Sequence, residues 1–147
     1  MKLRSSISGL ALAVGLGVMV AGCGQVNQVR AQKAFKDANK LYAASDWRAA
    51  AAKYEEAIQL NPENAYSHFF LANCLNNMYR PTRAGEPDND ALLAKAIDNY
   101  KVAGEKIDDP LWKRRSLEFL VSAYGPDKLN DPTMAEQFAS FAFDDDG

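Results

Sequence analysis

Cysteine and histidine are scarce: two cysteines and one histidine in 147 residues leave too few soft or imidazole ligands for a four-ligand structural zinc site. A zinc finger is thereby excluded. Basic excess is also lacking. Seventeen Lys and Arg stand against nineteen Asp and Glu, a formal net charge of −2, so no positive field exists to hold a phosphate backbone by counterion release, and nucleic acid is not an expected partner. Nor is there a long apolar run. The longest, Ile7 to Gly22, extends for about 15 residues where a membrane-crossing helix needs roughly 20. With 48% hydrophobic and 24% charged residues, the chain reads as one ordinary folded domain, neither disordered nor multi-span.

What the N-terminus does contain is a basic head, Lys2 and Arg4, followed by that uncharged run. This is the pattern of a secretory signal. The run ends in Val20-Ala21-Gly22-Cys23, which resembles the bacterial lipobox: an aliphatic residue, two small residues and a cysteine. The resemblance implies a cleaved lipoprotein signal peptide at 1–22. It also implies a diacylglycerol on the Cys23 thiol as membrane anchor, and an N-acyl lipid on the new amino terminus. Two or three acyl chains hold a protein durably where one does not. The alternative is an ordinary signal peptide in which Cys23 is incidental. Among lipoproteins an aspartate after the cysteine tends to retain the protein in the inner membrane; Gly24 stands there instead, which favours the outer membrane, facing the periplasm, in a host that has one. Apart from the lipid, no cofactor is implied. Removing 1–22 leaves fifteen basic and nineteen acidic residues. Cys74, then without a partner, reads as a small buried apolar residue.

Residues 23–29 read as the lipidated N-terminus and a short polar linker, which would keep the domain, 30–147, close to the membrane. From Val26 to Ala43 apolar residues recur at helical spacing (Val29, Ala34, Ala38, Leu41, Tyr42), and they recur again from Asp46 to Leu60 (Trp47, Ala50, Ala51, Tyr54, Ala57, Ile58). Ser45 or Asp46 can cap the second helix, and Asn61 a third with Pro62 in its first turn. Ala34, Ala38 and Leu41, then Trp47, Ala50, Tyr54, Ala57 and Pro62, resemble the spacing of a tetratricopeptide repeat (TPR) of about 34 residues. Asp37 departs from the pattern, standing where Leu is usual. His68, Leu71, Ala72 and Leu75 continue in phase as the first helix of a second repeat. Its second helix, Ala96, Ile97, Tyr100 and Ala103, arrives about 12 residues late. The inserted segment, 79–90, is rich in Pro, Gly and charge and is expected to be non-helical. Asp109-Pro110 starts a third first-helix (Leu117, Leu120, Val121, Tyr124) that Gly125-Pro126 stops, and Asp131-Pro132 opens a last helix.

The resemblance therefore implies an all-α, right-handed stack of TPR helix-turn-helix repeats, about two and a half in number. Repeat one covers about 31–64, repeat two about 65–110 with its insertion, and a partial repeat three about 111–143. Such stacks normally close with a helix polar on its outer face. None follows Phe143, so the expectation is either that the natural protein continues past Gly147 or that the Met134, Phe138 and Phe141 face self-associates or docks on another chain.

No catalytic constellation emerges. His68 stands at a packing position, Glu55 and Glu56 point about 100° apart on one helix, and Glu86, Asp88 and Asp90 lack the ligand order of a calcium loop. No metal site is expected, and the chain is not expected to be an enzyme. Members of the family line a concave groove with their first helices. The resemblance places Phe35, Asn39, Tyr42, Tyr66, Phe69, Asn73 and Asn76 there as partner-binding residues, the amides to bond an extended peptide backbone and the rings to take side chains. The alternative is that Phe35 and Phe69 pack against the third repeat or the insertion. Phe35 and Phe70 stand where a carboxylate clamp wants Lys and Asn, so no clamp is expected. The function implied is a membrane-anchored, non-catalytic protein–protein adaptor of the cell envelope, of the kind that aids assembly of an outer-membrane or pilus complex. Two alternatives remain: an envelope enzyme or enzyme subunit using His68 and the insertion loop, and a structural spacer.

Overall fold

The computed structural model describes the backbone of residues 10–143 and the side chains of residues 24–143. The basic head of the signal and the Cys23 thiol lie outside these. Six α-helices follow one another: α1 (Leu10–Ala43), α2 (Trp47–Leu60), α3 (Ala65–Met78), α4 (Pro87–Lys106), α5 (Pro110–Tyr124) and α6 (Pro132–Phe143), with a 3-10 turn at Pro81–Arg83. Among the described residues there is no strand, and no helix is long and apolar enough to cross a membrane. The chain is all-α, as its periodicity indicated.

The helices start where side-chain oxygens can replace missing intrahelical acceptors. Asp46 accepts from Ala49 N at 3.2 Å, Asp109 from Leu111 N at 3.0 Å and Trp112 N at 3.3 Å, and Asp131 from Met134 N at 3.1 Å. The third helix differs from expectation. Asn61 ends α2, its N–H donating to Ala57 O at 2.9 Å, and Asn64 caps α3 by accepting from Ser67 N at 3.4 Å. Pro62 therefore lies in the turn and not in a helix.

Two further findings concern the polar linker and the insertion. Gly24–Val29 is a continuation of α1, since one glycine costs a helix only about 1 kcal/mol and Gln25 and Gln28 are good helix formers. In the insertion, α4 already begins at Pro87. Proline is well suited to a first helical position, and Asp88 and Asp90 favour the positive end of the helix dipole. The rest of the insertion is built around Asn89, which is 4% exposed. Its amide oxygen accepts from Arg80 N at 2.8 Å, and its Nδ2 donates to the carbonyls of Arg80 and Arg83, both at 3.0 Å. Gly85, at φ +93°, makes the turn into α4 in a region open to glycine and few other residues; its N–H donates to the Asp90 carboxylate at 3.0 Å.

Each helix packs on the next, and the short turns make neighbours antiparallel. Close approach comes from Ala38, Ala50, Ala57, Ala72, Ala96 and Ala103, each at most 1% exposed, which let the backbones draw together. Tyr54, Tyr100 and Leu120 fill the space between them, and burial of each such side chain contributes about 1.5–3 kcal/mol. Two layers result. α1, α3 and α5 touch through aromatic rings, with Phe35–Phe70 centroids 6.1 Å apart and Phe69–Trp112 centroids 5.0 Å apart. α2 and α4 are joined by the Lys95–Glu55 ion pair. α4 and α6 wall a common cleft.

Candidate functional site

The layer of α1, α3 and α5 holds the residues proposed from sequence as a binding groove, and their environments divide them. Phe69 is 3% exposed, enclosed by the rings of Phe70, Tyr100, Trp112 and Phe119 at centroid distances of 5.0–6.1 Å. It packs against α5, the second of the two outcomes open to it. Asn73 is also buried, and its Nδ2 donates to Phe69 O one turn earlier at 3.2 Å. Neither side chain lies open to a partner. The reason is positional: α3 lies between α1 and α5, meeting the first through Phe70 and the second through Phe69.

Phe35 and Tyr42 are half-buried and belong to the same aromatic seam. Phe35 lies edge-on to Tyr54 at 5.7 Å, and Tyr42 meets Trp47 at 5.1 Å and Phe70 at 5.3 Å. Asn39 is exposed, but its amide oxygen is taken by the Tyr54 hydroxyl, which donates at 2.6 Å. Its Nδ2 remains for solvent or a ligand. Tyr66 is 36% exposed with its ring edge-on to Trp112 at 5.9 Å. Asn76 is partly exposed, and its amide oxygen accepts from Lys128 Nζ at 2.8 Å. Asn39, Tyr66 and Asn76 thus keep the accessible polar and aromatic edge of this layer.

Two members of this surface were not read from sequence. Trp112 covers Phe69 and Phe70 from α5. Lys128, from the turn between α5 and α6, reaches Asn76 across the layer, and burial holds its ammonium below the usual lysine range. Periodicity gives a hint of Trp112, which lies on a helix. Nothing local announces Lys128, because its partner is set by how α5 and α3 are placed together.

The remaining candidates sit elsewhere. His68 Nδ1 lies 2.8 Å from Asn99 Oδ1 and its Nε2 3.2 Å from Pro62 O; neither partner is an acid or a nucleophile. Among the described residues no group of His, Cys, Asp and Glu is arranged to hold a metal ion. Cys74 is fully buried, and burial pushes its thiol up to about 12, away from a reactive thiolate. On α6, Phe138 stacks on Tyr124 at 5.6 Å, Met134 is half-buried, and Phe141 is 56% exposed. Phe138 and Phe141 line a cleft of about 390 Å³ with Leu117, Leu120 and Lys101. A larger, more polar cleft of about 720 Å³ lies between the start of α2 and the insertion, lined by Asp46, Arg48, Arg80, Arg83 and Asn89 among others. Arg83 is paired there with Glu86.

Compared with known proteins, the sequence matches no protein-family model and no curated protein.

Proposed function

We propose that this chain is an exported, lipid-anchored adaptor of the bacterial cell envelope. In this reading it is non-catalytic, and its helix pairs form a right-handed stack of TPR-like repeats that holds a partner peptide or helix on the first-helix face. The observation that carries the reading is the repetition of packing between helix pairs. Ala50, Tyr54 and Ala57 in α2 and Ala96, Tyr100 and Ala103 in α4 are all buried in the same order, while α1, α3 and α5 share one layer. A scaffold of that kind offers a continuous face and little chemistry. On it, Asn39, Tyr66, Asn76 and Lys128 supply the accessible amides, a ring edge and a cation. Cys23 supplies the anchor, and the periplasmic side of an outer membrane is the proposed location.

A structural spacer is a second reading, favoured by one observation: the protein's own rings, Phe35, Phe69, Phe70 and Trp112, fill much of the first-helix face.

One experiment separates the two. Envelope proteins are captured on the mature domain and on a Tyr66→Ala, Asn76→Ala, Lys128→Ala variant shown by circular dichroism to be folded. A Phe141→Ala variant reports on the exposed ring of α6. A partner lost from the triple variant and kept by Phe141→Ala supports the adaptor. Identical sets from all three proteins, or none, leave the spacer.

A further inference from the structure

Charge is unevenly divided along the chain. From Gly24 to Ala43, α1 carries four cations, Arg30, Lys33, Lys36 and Lys40, and one acid, Asp37. The chain after it carries eleven cations and eighteen acids. The cations are gathered on one side of the helix. At about 100° per residue, Val26, Val29, Arg30, Lys33, Lys36 and Lys40 fall within an arc of about 120°, and all six are exposed. Val26 and Val29, at 57% and 66%, are the apolar members. The opposite side, Ala31, Ala34 and Ala38, is buried.

Neighbouring acids do not cancel this charge. Asp37 pairs with Lys33 at 3.0 Å and Lys40 at 3.3 Å. On α2, the helix packed beside it, Lys53 and Glu56 pair with each other at 2.6 Å. With these included, the face keeps three cations in excess of its acids among the described residues.

We infer that this arc of α1 lies along an anionic lipid surface, with Val26 and Val29 at the headgroup–acyl boundary and the lysine ammoniums among the phosphates. Lysine stems reach outward from an apolar stripe in this way, and each cation held near an anionic bilayer strengthens binding about five-fold. The helix is suited to lie on the bilayer, being exposed and amphipathic on that side and not apolar enough to cross it. Cys23 falls three residues before Val26 in the same helix, so an acyl anchor there would be continuous with the face. That continuity rests on the lipid-anchor reading; the charge asymmetry does not.

The test uses the full chain, produced in a bacterial host and reconstituted with vesicles of neutral phosphatidylcholine or of phosphatidylcholine with phosphatidylglycerol. Lysines are acylated with an amine reagent and read site by site by mass spectrometry, and flotation is scored in parallel. Lys33, Lys36 and Lys40 are expected to label several-fold more slowly on anionic than on neutral vesicles, and high salt should remove the difference. Lys95, Lys106 and Lys113 should label alike on both. A Lys33→Gln, Lys36→Gln, Lys40→Gln variant should still float while Arg30, probed with a guanidinium reagent, loses its protection. Equal labelling of the three lysines on both vesicle types overturns the proposal even where the chain floats. Flotation on anionic vesicles alone, with protection, removes the anchor reading and leaves the basic face standing, whereas flotation on neither removes both.

Discussion

The Tyr54 hydroxyl donates to the Asn39 amide oxygen at 2.6 Å, while the hydroxyl of Tyr100, the matching tyrosine of the next helix pair, is buried with no hydrogen-bond partner among the described residues. Asn73 occupies the place in α3 that Asn39 holds in α1, yet its amide turns back to Phe69 O. The same two residue types, repeated along the chain, form the bond in one pair and not in the next.

Tyr54→Phe and Tyr100→Phe should therefore differ in sign. Loss of the Tyr54 bond should cost about 1 kcal/mol, since Asn39 is exposed and water can replace its partner. Removing the unpaired Tyr100 hydroxyl relieves a desolvated polar group and should be neutral or stabilising by up to about 1 kcal/mol. Urea unfolding followed by circular dichroism reads both, and equal destabilisation by the two changes would contradict the distinction.

Phe69 and Tyr66 lie three residues apart on α3 and should separate stability from binding. Phe69→Ala empties a site enclosed by four rings and should cost about 3–5 kcal/mol, enough to threaten a small domain. Tyr66→Ala removes a ring that is already one-third exposed and should cost no more than about 1 kcal/mol. A partner lost with Tyr66→Ala in a protein of near wild-type melting temperature would mark the face as a contact surface. If Phe69→Ala melts like the wild type, the description of the α3–α5 seam is wrong.

Local patterns carried most of the fold. Asp46, Asp109 and Asp131 each precede an apolar period and do cap the helices that follow, because capping is decided within three residues. Charge and proline misled at the insertion, where Asp88 and Asp90 read as loop although Pro87 places them in a first helical turn that favours acids. The groove was the least legible. Phe35 and Phe69 have the same place in their helices, and only the arrival of Trp112 and Phe119 from α5 buries the second. The Lys128–Asn76 contact has no sequence signal, since it depends on the final placement of two helices.

Asn89→Ala should loosen the insertion without unfolding the domain. Three hydrogen bonds from one buried amide hold the backbone at Arg80 and Arg83, and alanine would leave those groups without partners at a cost of about 2–3 kcal/mol. Hydrogen exchange should accelerate from Tyr79 to Asp90, with α2 and α5 unchanged. Uniform acceleration across all helices would show instead that Asn89 supports the whole core.

Alkaline pH should weaken the fold through groups that burial keeps neutral. The Cys74 thiol is raised from the ordinary 9.0 to about 12 by desolvation, and Tyr54 and Tyr100 are raised in the same direction for the same reason. In each case the folded state holds its proton more tightly than the unfolded chain, so the stabilisation is complete below the unfolded value and declines as pH rises toward the folded one. For Cys74 that window runs from 9.0 to about 12. The urea midpoint should be flat from neutral pH to about 9 and then fall. Cys74→Ala should delay the fall until the tyrosines of the unfolded chain begin to ionise near 10.0. At neutral pH, maleimide labelling resolved to Cys74 should proceed only as fast as the domain opens, and labelling at the rate of a free thiol would contradict its burial between the helices.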